Sequence, residues 1–168
     1  MSSIRKILVA SVAAITLASV AEPASPQGLI KANRLSAALA VELAAAAVEA
    51  CVKLNQEVTV VVLDISGVHQ AMIRGDGAGI HTIDTAHHKA YTAMTFKTDT
   101  IDLVARSKKG SAPSAINVVP NLLLAQGGVL VRAGDEIIAT IGVSGARGGD
   151  MDTQCARAGI ERIRDRLR

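Results

Sequence analysis

The chain changes its hydrophobic period repeatedly, and each change marks an element. Across residues 29–54, Leu35, Leu39, Leu43, Ala46 and Ala50 recur at helical spacing, with Lys31, Arg34, Glu42 and Glu49 to one side. In an alanine-rich run that pattern predicts a long helix. Residues 58–65 (VTVVVLDI) are apolar at nearly every position and β-branched, the signature of a buried strand. Ser66-Gly67 is a turn, 68–74 the hairpin partner, and GDGAG (75–79) a loop.

Residues 80–96 return to helical spacing. Ile83, Ala86, Ala90, Ala93 and Met94 form the arc expected to face a sheet, while His81, Thr85, His88 and Thr92 form a separate stripe away from it. A short helix is expected around 98–105, then an irregular stretch over 108–121 with two prolines. Three strands follow, at 122–125 (LLLA), 129–132 (VLVR) and 136–145. A glycine-rich bend over 145–150 leads into a closing helix. Short links between strands predict antiparallel pairing. The fold class expected is α/β (α+β): one five-stranded antiparallel sheet between helix layers, with the first and last helices on one face.

Composition narrows the function. Of 168 residues, 49% are hydrophobic and 20% charged, which excludes a disordered polar chain. Tyr91 and Phe96 are the only aromatics and there is no Trp, which argues against a base-stacking nucleic-acid module. Residues 1–21 look like a cleavable export signal: Arg5 and Lys6, an apolar run from Ile7 to Val20, then Ser19-Val20-Ala21. The run is shorter than the ~20 residues a membrane span needs. Loss of Arg5 and Lys6 takes the formal charge from +3 to +1, too little to steer the mature protein onto DNA or anionic lipid. Arg157, Arg162, Arg164, Arg166 and Arg168 are interrupted by Glu161 and Asp165 and read as a solvated helix face. The expected organisation is a signal over 1–21, a disordered segment over 22–28, and one domain over 29–168. The expected location is periplasmic or secreted, with no membrane span in the mature protein. Cys51 and Cys155 then either form a disulfide, which an oxidising compartment permits, or are two buried apolar thiols.

Candidate chemistry concentrates in one stretch. All four histidines fall between residues 69 and 88. Asp84 precedes His88 by one helical turn, so its carboxylate can orient that imidazole. His87 and Tyr91 flank the buried arc, and His69, on a hairpin strand, reads as structural. His81 and His88 stand about 10 Å apart along a helix, too far to share one ion. Adjacent His87 and His88 point about 100° apart, so a mononuclear metal site has no visible second half. The bend around Arg147 offers either N–H groups for a carboxylate or phosphate, or simply a turn and a helix capped by Asp150 or Asp152. It has neither Walker nor dinucleotide spacing. Catalytic signals reduce to Asp84/His88 as an acid–base pair, the basis of an alternative reading as a small-molecule enzyme of isomerase, hydrolase or lyase type.

Four stretches together resemble a known family: VVVLDISGVHQAMIRGDGAG (60–79), IDTAHHKAYTAMTF (83–96), LLLAQGGVLVR (122–132) and IGVSGARGGDMDTQCARAG (141–159). They are similar to the HbpS/GlcG-like haem-binding proteins, a fold also found as the C-terminal half of some corrinoid adenosyltransferases. The resemblance covers residues 29–168 and rests on D-x-x-G, R-x-D-G-A, D-x-x-x-x-K-A-x-T-A and D-x-x-x-A-x-A-G. It implies a profilin-like α/β/α sandwich and a homo-oligomer, an octamer in the secreted branch. It also implies haem or a related tetrapyrrole as ligand, and haem sensing, sequestration or an iron-linked stress response beside a two-component sensor kinase. In secreted members the threonine of K-A-x-T-A is implicated in haem contact, and Thr92 holds that position. Haem iron also accepts imidazole or phenolate. The expected site is therefore His88 as iron ligand with Thr92, His87, Asp84, Tyr91 and His81, and with Arg147 and loop 75–79 at the entrance. The family usually carries other residues where His87 and His88 stand.

Overall fold

The structure is a computed structural model describing residues 28–167. The expected export signal lies outside the described residues, as does all but Gly28 of the segment expected to be disordered. The chain divides into two compact units, residues 1–31 and 32–168; in the first, described residues 28–31 form neither helix nor strand. The second unit runs α1 (Ala37–Lys53), β1 (Thr59–Asp64), β2 (His69–Arg74), α2 (Thr82–Phe96), α3 (Thr100–Lys108), β3 (Gly128–Ala133), β4 (Glu136–Ser144) and α4 (Gly149–Ile163). Single 3-10 turns occupy Ser114–Asn117 and Arg164–Arg166. No helix among the described residues is long and apolar enough to cross a membrane.

The sheet is antiparallel in the order β2-β1-β4-β3. It has four strands among the described residues, not the five expected. Leu122–Ala125 stays outside because its backbone is satisfied elsewhere. The Leu123 N–H donates to the Thr92 hydroxyl at 2.8 Å, and the Ala125 N–H turns back to the Leu123 carbonyl at 2.9 Å. The first helix starts at Ala37, eight residues later than its apolar pattern implied. Ser36 caps it, its hydroxyl accepting from the Leu39 N–H, while Asn33 is tied to the Glu136 carboxylate.

Two cores sit on the two faces of the sheet. On one, Val60, Val62, Val131, Ile141 and Val143 pack beneath α1 and α4. The buried stripe of α1 is Ala40, Leu43, Ala44, Ala47 and Cys51. Its small side chains meet α4 at Ala156 and Gly159, where a Cβ on Gly159 would strike the Leu43 carbonyl. Cys51 and Cys155 are joined by a disulfide across this contact. On the other face Val61 and Leu63 pack against Ala86, Ala90 and Tyr91 of α2. Gly128 and Gly142 are directly paired there, and a Cβ on either would collide with α2 backbone, at the Lys89 and Ala86 carbonyls respectively. The helix therefore rests its main chain on β3 and β4. It lies across β1, β4 and β3 and leaves the same face of the edge strand β2 largely open.

Candidate functional site

The open face of β2 is shaped by a β-bulge. Val62 pairs with Ala71, but the next residue, Leu63, pairs with His69, so Gln70 is the extra residue. Simple alternation would point His69 the same way as Ala71 and Ile73, toward α1 and α4. The bulge instead places it on the α2 side, with Met72. The Gln70 side-chain amide donates to the Leu35 carbonyl, which holds the extra residue in place.

α2 meets this strand with His87 and Tyr91. His69 Nε2 and His87 Nδ1 are 2.7 Å apart and the two rings lie 4.7 Å centroid to centroid. One nitrogen must donate and the other accept. The Tyr91 ring lies 5.8 Å from His87, and His88 stands edge-on to His87 at 5.5 Å. Burial, reinforced by the neighbouring His69 and His88 imidazoles, holds His87 below the ordinary imidazole range; Asp84 opposes them. Asp84 thus acts by charge on His87, and makes no hydrogen bond to His88 among the described residues. The result is a surface cluster in which His69 of β2 bridges to His87 of α2, with the His88 and Tyr91 rings beside His87 and the half-exposed Met72 on the same face of β2.

The remaining residues of the expected site lie elsewhere. Thr92 does not join the outward stripe: it is fully buried, and its hydroxyl accepts the Leu123 N–H. His81, at the start of α2, and Arg147 line a separate cleft with Gly79, Thr82 and Gly145. The bend at Arg147 has fewer free donors than expected. The Ala146 N–H is taken by Asp152 at 3.0 Å and the Arg147 N–H by Gln56 at 2.9 Å.

Two residues do more than their sequence positions imply. One is His69, expected to be structural, which the bulge turns to the α2 side where it meets His87. The other is Lys89, only 6% exposed in the middle of α2. Its ammonium donates to Asp152 at 2.7 Å and to the Val143 carbonyl at 3.1 Å, clamping α2, β4 and α4 together. Burial raises the Asp152 carboxyl above its usual range, with Lys89 and the Ala146 N–H pulling the other way. The spacing of Thr82, Ala86, Lys89 and Ala93 on one helical face is the signal that would have revealed it.

A four-stranded antiparallel sheet covered by helices on both faces, with an imidazole cluster at one edge, places the molecule among mixed α+β domains. The family model described as "Haem degrading protein HbpS-like" matches residues 35–161. A double mutant of HbpS from Streptomyces reticuli, two glutamates changed to aspartates, is similar at 36% identity. That match covers 87% of this chain and 98% of the other, with a TM-score of 0.75. A structure described as a PduOC:heme complex matches at 26% identity over 76% of this chain and 94% of the other, TM-score 0.69. The Klebsiella pneumoniae protein ORFY shares the fold at 21% identity, over 82% of this chain and 96% of the other, TM-score 0.75. No curated protein matches. The chain belongs to the HbpS-like family.

Proposed function

We propose that this protein binds haem outside the cytoplasm, in haem sensing or sequestration, and that the surface of α2 carrying His87, His88 and Tyr91 is the site. The observation that carries the proposal is the cluster of His87, His88 and Tyr91 beside the open face of β2. The residues suit the group: imidazole as an axial ligand, and ring and thioether surface against the macrocycle. His88 is the iron ligand in this reading. Half-buried on the outer flank of α2, it has no hydrogen-bond partner among the described residues, so its ring can turn to a ligand. His87 and Tyr91 flank the ligand and Asp84 supplies local negative charge. Thr92 acts indirectly, by anchoring the 122–125 segment against α2. The haem-degrading description of the family and the haem complex of a relative support haem over other flat ligands. The export-signal pattern and the Cys51–Cys155 bridge, a bond suited to oxidising compartments, support the location. The face of β2 beside these residues is largely uncovered, which suits completion by another subunit, and the exposed Val41 and Val52 of α1 offer apolar surface for assembly.

A haemin titration of the purified protein tests this. The expected result is a saturable Soret shift that His88→Ala weakens by at least about tenfold, a ligand loss costing no less than loss of a ligand's supporting contact. A titration indistinguishable from free haemin overturns the proposal, and a shift untouched by His88→Ala overturns the ligand assignment.

A further inference from the structure

His69 and His87 come from different elements, and a dedicated bulge brings them together. Their nitrogens, 2.7 Å apart, define a distance that discriminates between metal centres. Imidazole nitrogens bind a late first-row ion at about 2.0–2.1 Å. Two of them at a right angle on one ion therefore stand about 2.8–3.0 Å apart. The two axial ligands of a haem lie on opposite sides of the iron, about 4 Å apart. His69 and His87 thus have the separation of neighbouring positions on one small cation, and cannot sandwich a haem between them without moving apart.

We propose that His69 Nε2 and His87 Nδ1 form a cis-bidentate site for a divalent late transition-metal ion, with Cu(II) bound most tightly. The remaining positions are filled by water, since His88 points away around the helix and the described residues hold no cluster of three or more His, Cys, Asp or Glu side chains able to bind a metal. Imidazole and a tetragonal arrangement favour copper, and the order of affinities for nitrogen ligands puts Cu(II) above Ni(II) and Zn(II). The ligands suit the task for independent reasons. His69 sits on an edge strand with its ring exposed, so the site is open to solvent. His87 is part-buried between His69, His88 and Tyr91, which restricts its ring to the orientation that meets His69. The hydrogen bond between the rings is what the metal replaces: the donor ring takes its other neutral tautomer, its proton moving through solvent to its second nitrogen, and the lone pairs on His69 Nε2 and His87 Nδ1 turn to the ion. This site does not depend on haem binding.

The test is a Cu(II) titration of the full chain against a competing chelator, read by affinity and by electron paramagnetic resonance. The expected result is one Cu(II) per chain with coupling to two nitrogens, weakened at least about tenfold by His69→Gln or by His87→Gln, since loss of a ligand exceeds loss of a supporting contact. His88→Ala leaves the copper signal unchanged while it weakens the haem response, so the two sites fail separately. His69 is exposed, so His69→Gln is expected to keep the wild-type circular dichroism and melting temperature. Copper binding that persists in the His69→Gln/His87→Gln double variant overturns the proposal. So does a copper spectrum without two coupled nitrogens.

Discussion

Lys89 ties three elements together from the middle of a motif. Its ammonium and the Asp152 carboxylate are both nearly sealed from water, at 7% and 3% side-chain exposure. Removing one partner of such a pair leaves an uncompensated buried charge, at a cost of about 3–5 kcal/mol. Lys89→Met is therefore expected to lower the unfolding free energy by about that amount at neutral pH. The sign of the pH dependence follows from Asp152. Its carboxyl is already raised by burial, so the folded state holds this proton more tightly than the unfolded chain does. Its contribution to stability is greatest below the ordinary carboxyl range and declines as pH rises through the folded-state pKa. Without Lys89 the carboxyl rises further, and protonation relieves the bare charge. Urea unfolding of Lys89→Met should thus show a smaller deficit near about pH 5 than near about pH 7.5. Lys89→Met/Asp152→Asn should recover part of the loss, because the amide oxygen can still accept from Ala146. An equal deficit at both pH values would mean that the clamp acts through packing rather than charge.

Other motif residues prove structural when traced to their partners. Asp64 of D-x-x-G closes its turn by accepting from the Ser66 and Val68 N–H groups. Arg74 of R-x-D-G-A holds the loop through the Ala78 carbonyl. At the scale of elements this explains what the sequence made legible. Helix and strand identity followed largely from period, and all four observed strands and four helices were expected, while the shared α1/α4 face rested on the element order and the family resemblance. Three features were not legible. The Leu122–Ala125 run has a strand's composition but gives its N–H to Thr92. The bulge at Gln70 is invisible to alternation, and with it the approach of His69 to His87. The inward face of α2 includes Thr92 and Lys89 because paired glycines beneath let the helix sink onto the sheet. That close approach is testable by Gly142→Ala. The added methyl meets the Ala86 carbonyl, which belongs to helix backbone and cannot swing aside. The helix must lift, at an expected cost of about 1–3 kcal/mol by urea unfolding. Gly134→Ala bounds the comparison: its Cβ meets no neighbour, so its cost comes from its left-handed backbone alone.

At the scale of the whole molecule, one covalent bond ties the first helix to the last. Cys51 and Cys155 are 104 residues apart, and both are fully buried where α1 crosses α4. The helices approach closely because Ala44, Ala47, Ala156 and Gly159 line the contact, so the bridge joins elements that packing already brings together. The closed loop contains all four strands, and its closure removes much of the freedom of the unfolded chain. For a loop of this length the chain-entropy argument gives about 4–5 kcal/mol, and loss of a native bridge typically costs about 2–5 kcal/mol. Small domains usually have about 5–15 kcal/mol in all, so the bond is a large share of the margin. The reduced protein should therefore unfold at markedly lower urea than the oxidised protein, with a similar denaturant slope per unit of exposed surface. Cys51→Ala/Cys155→Ala should match the reduced form and stay insensitive to reductant. Thiol titration in denaturant should find no free thiol in protein folded under oxidising conditions. Coincident unfolding curves with and without reductant, in protein shown to carry the bridge, would place the stability of the α1/α4 layer in its small-residue packing instead.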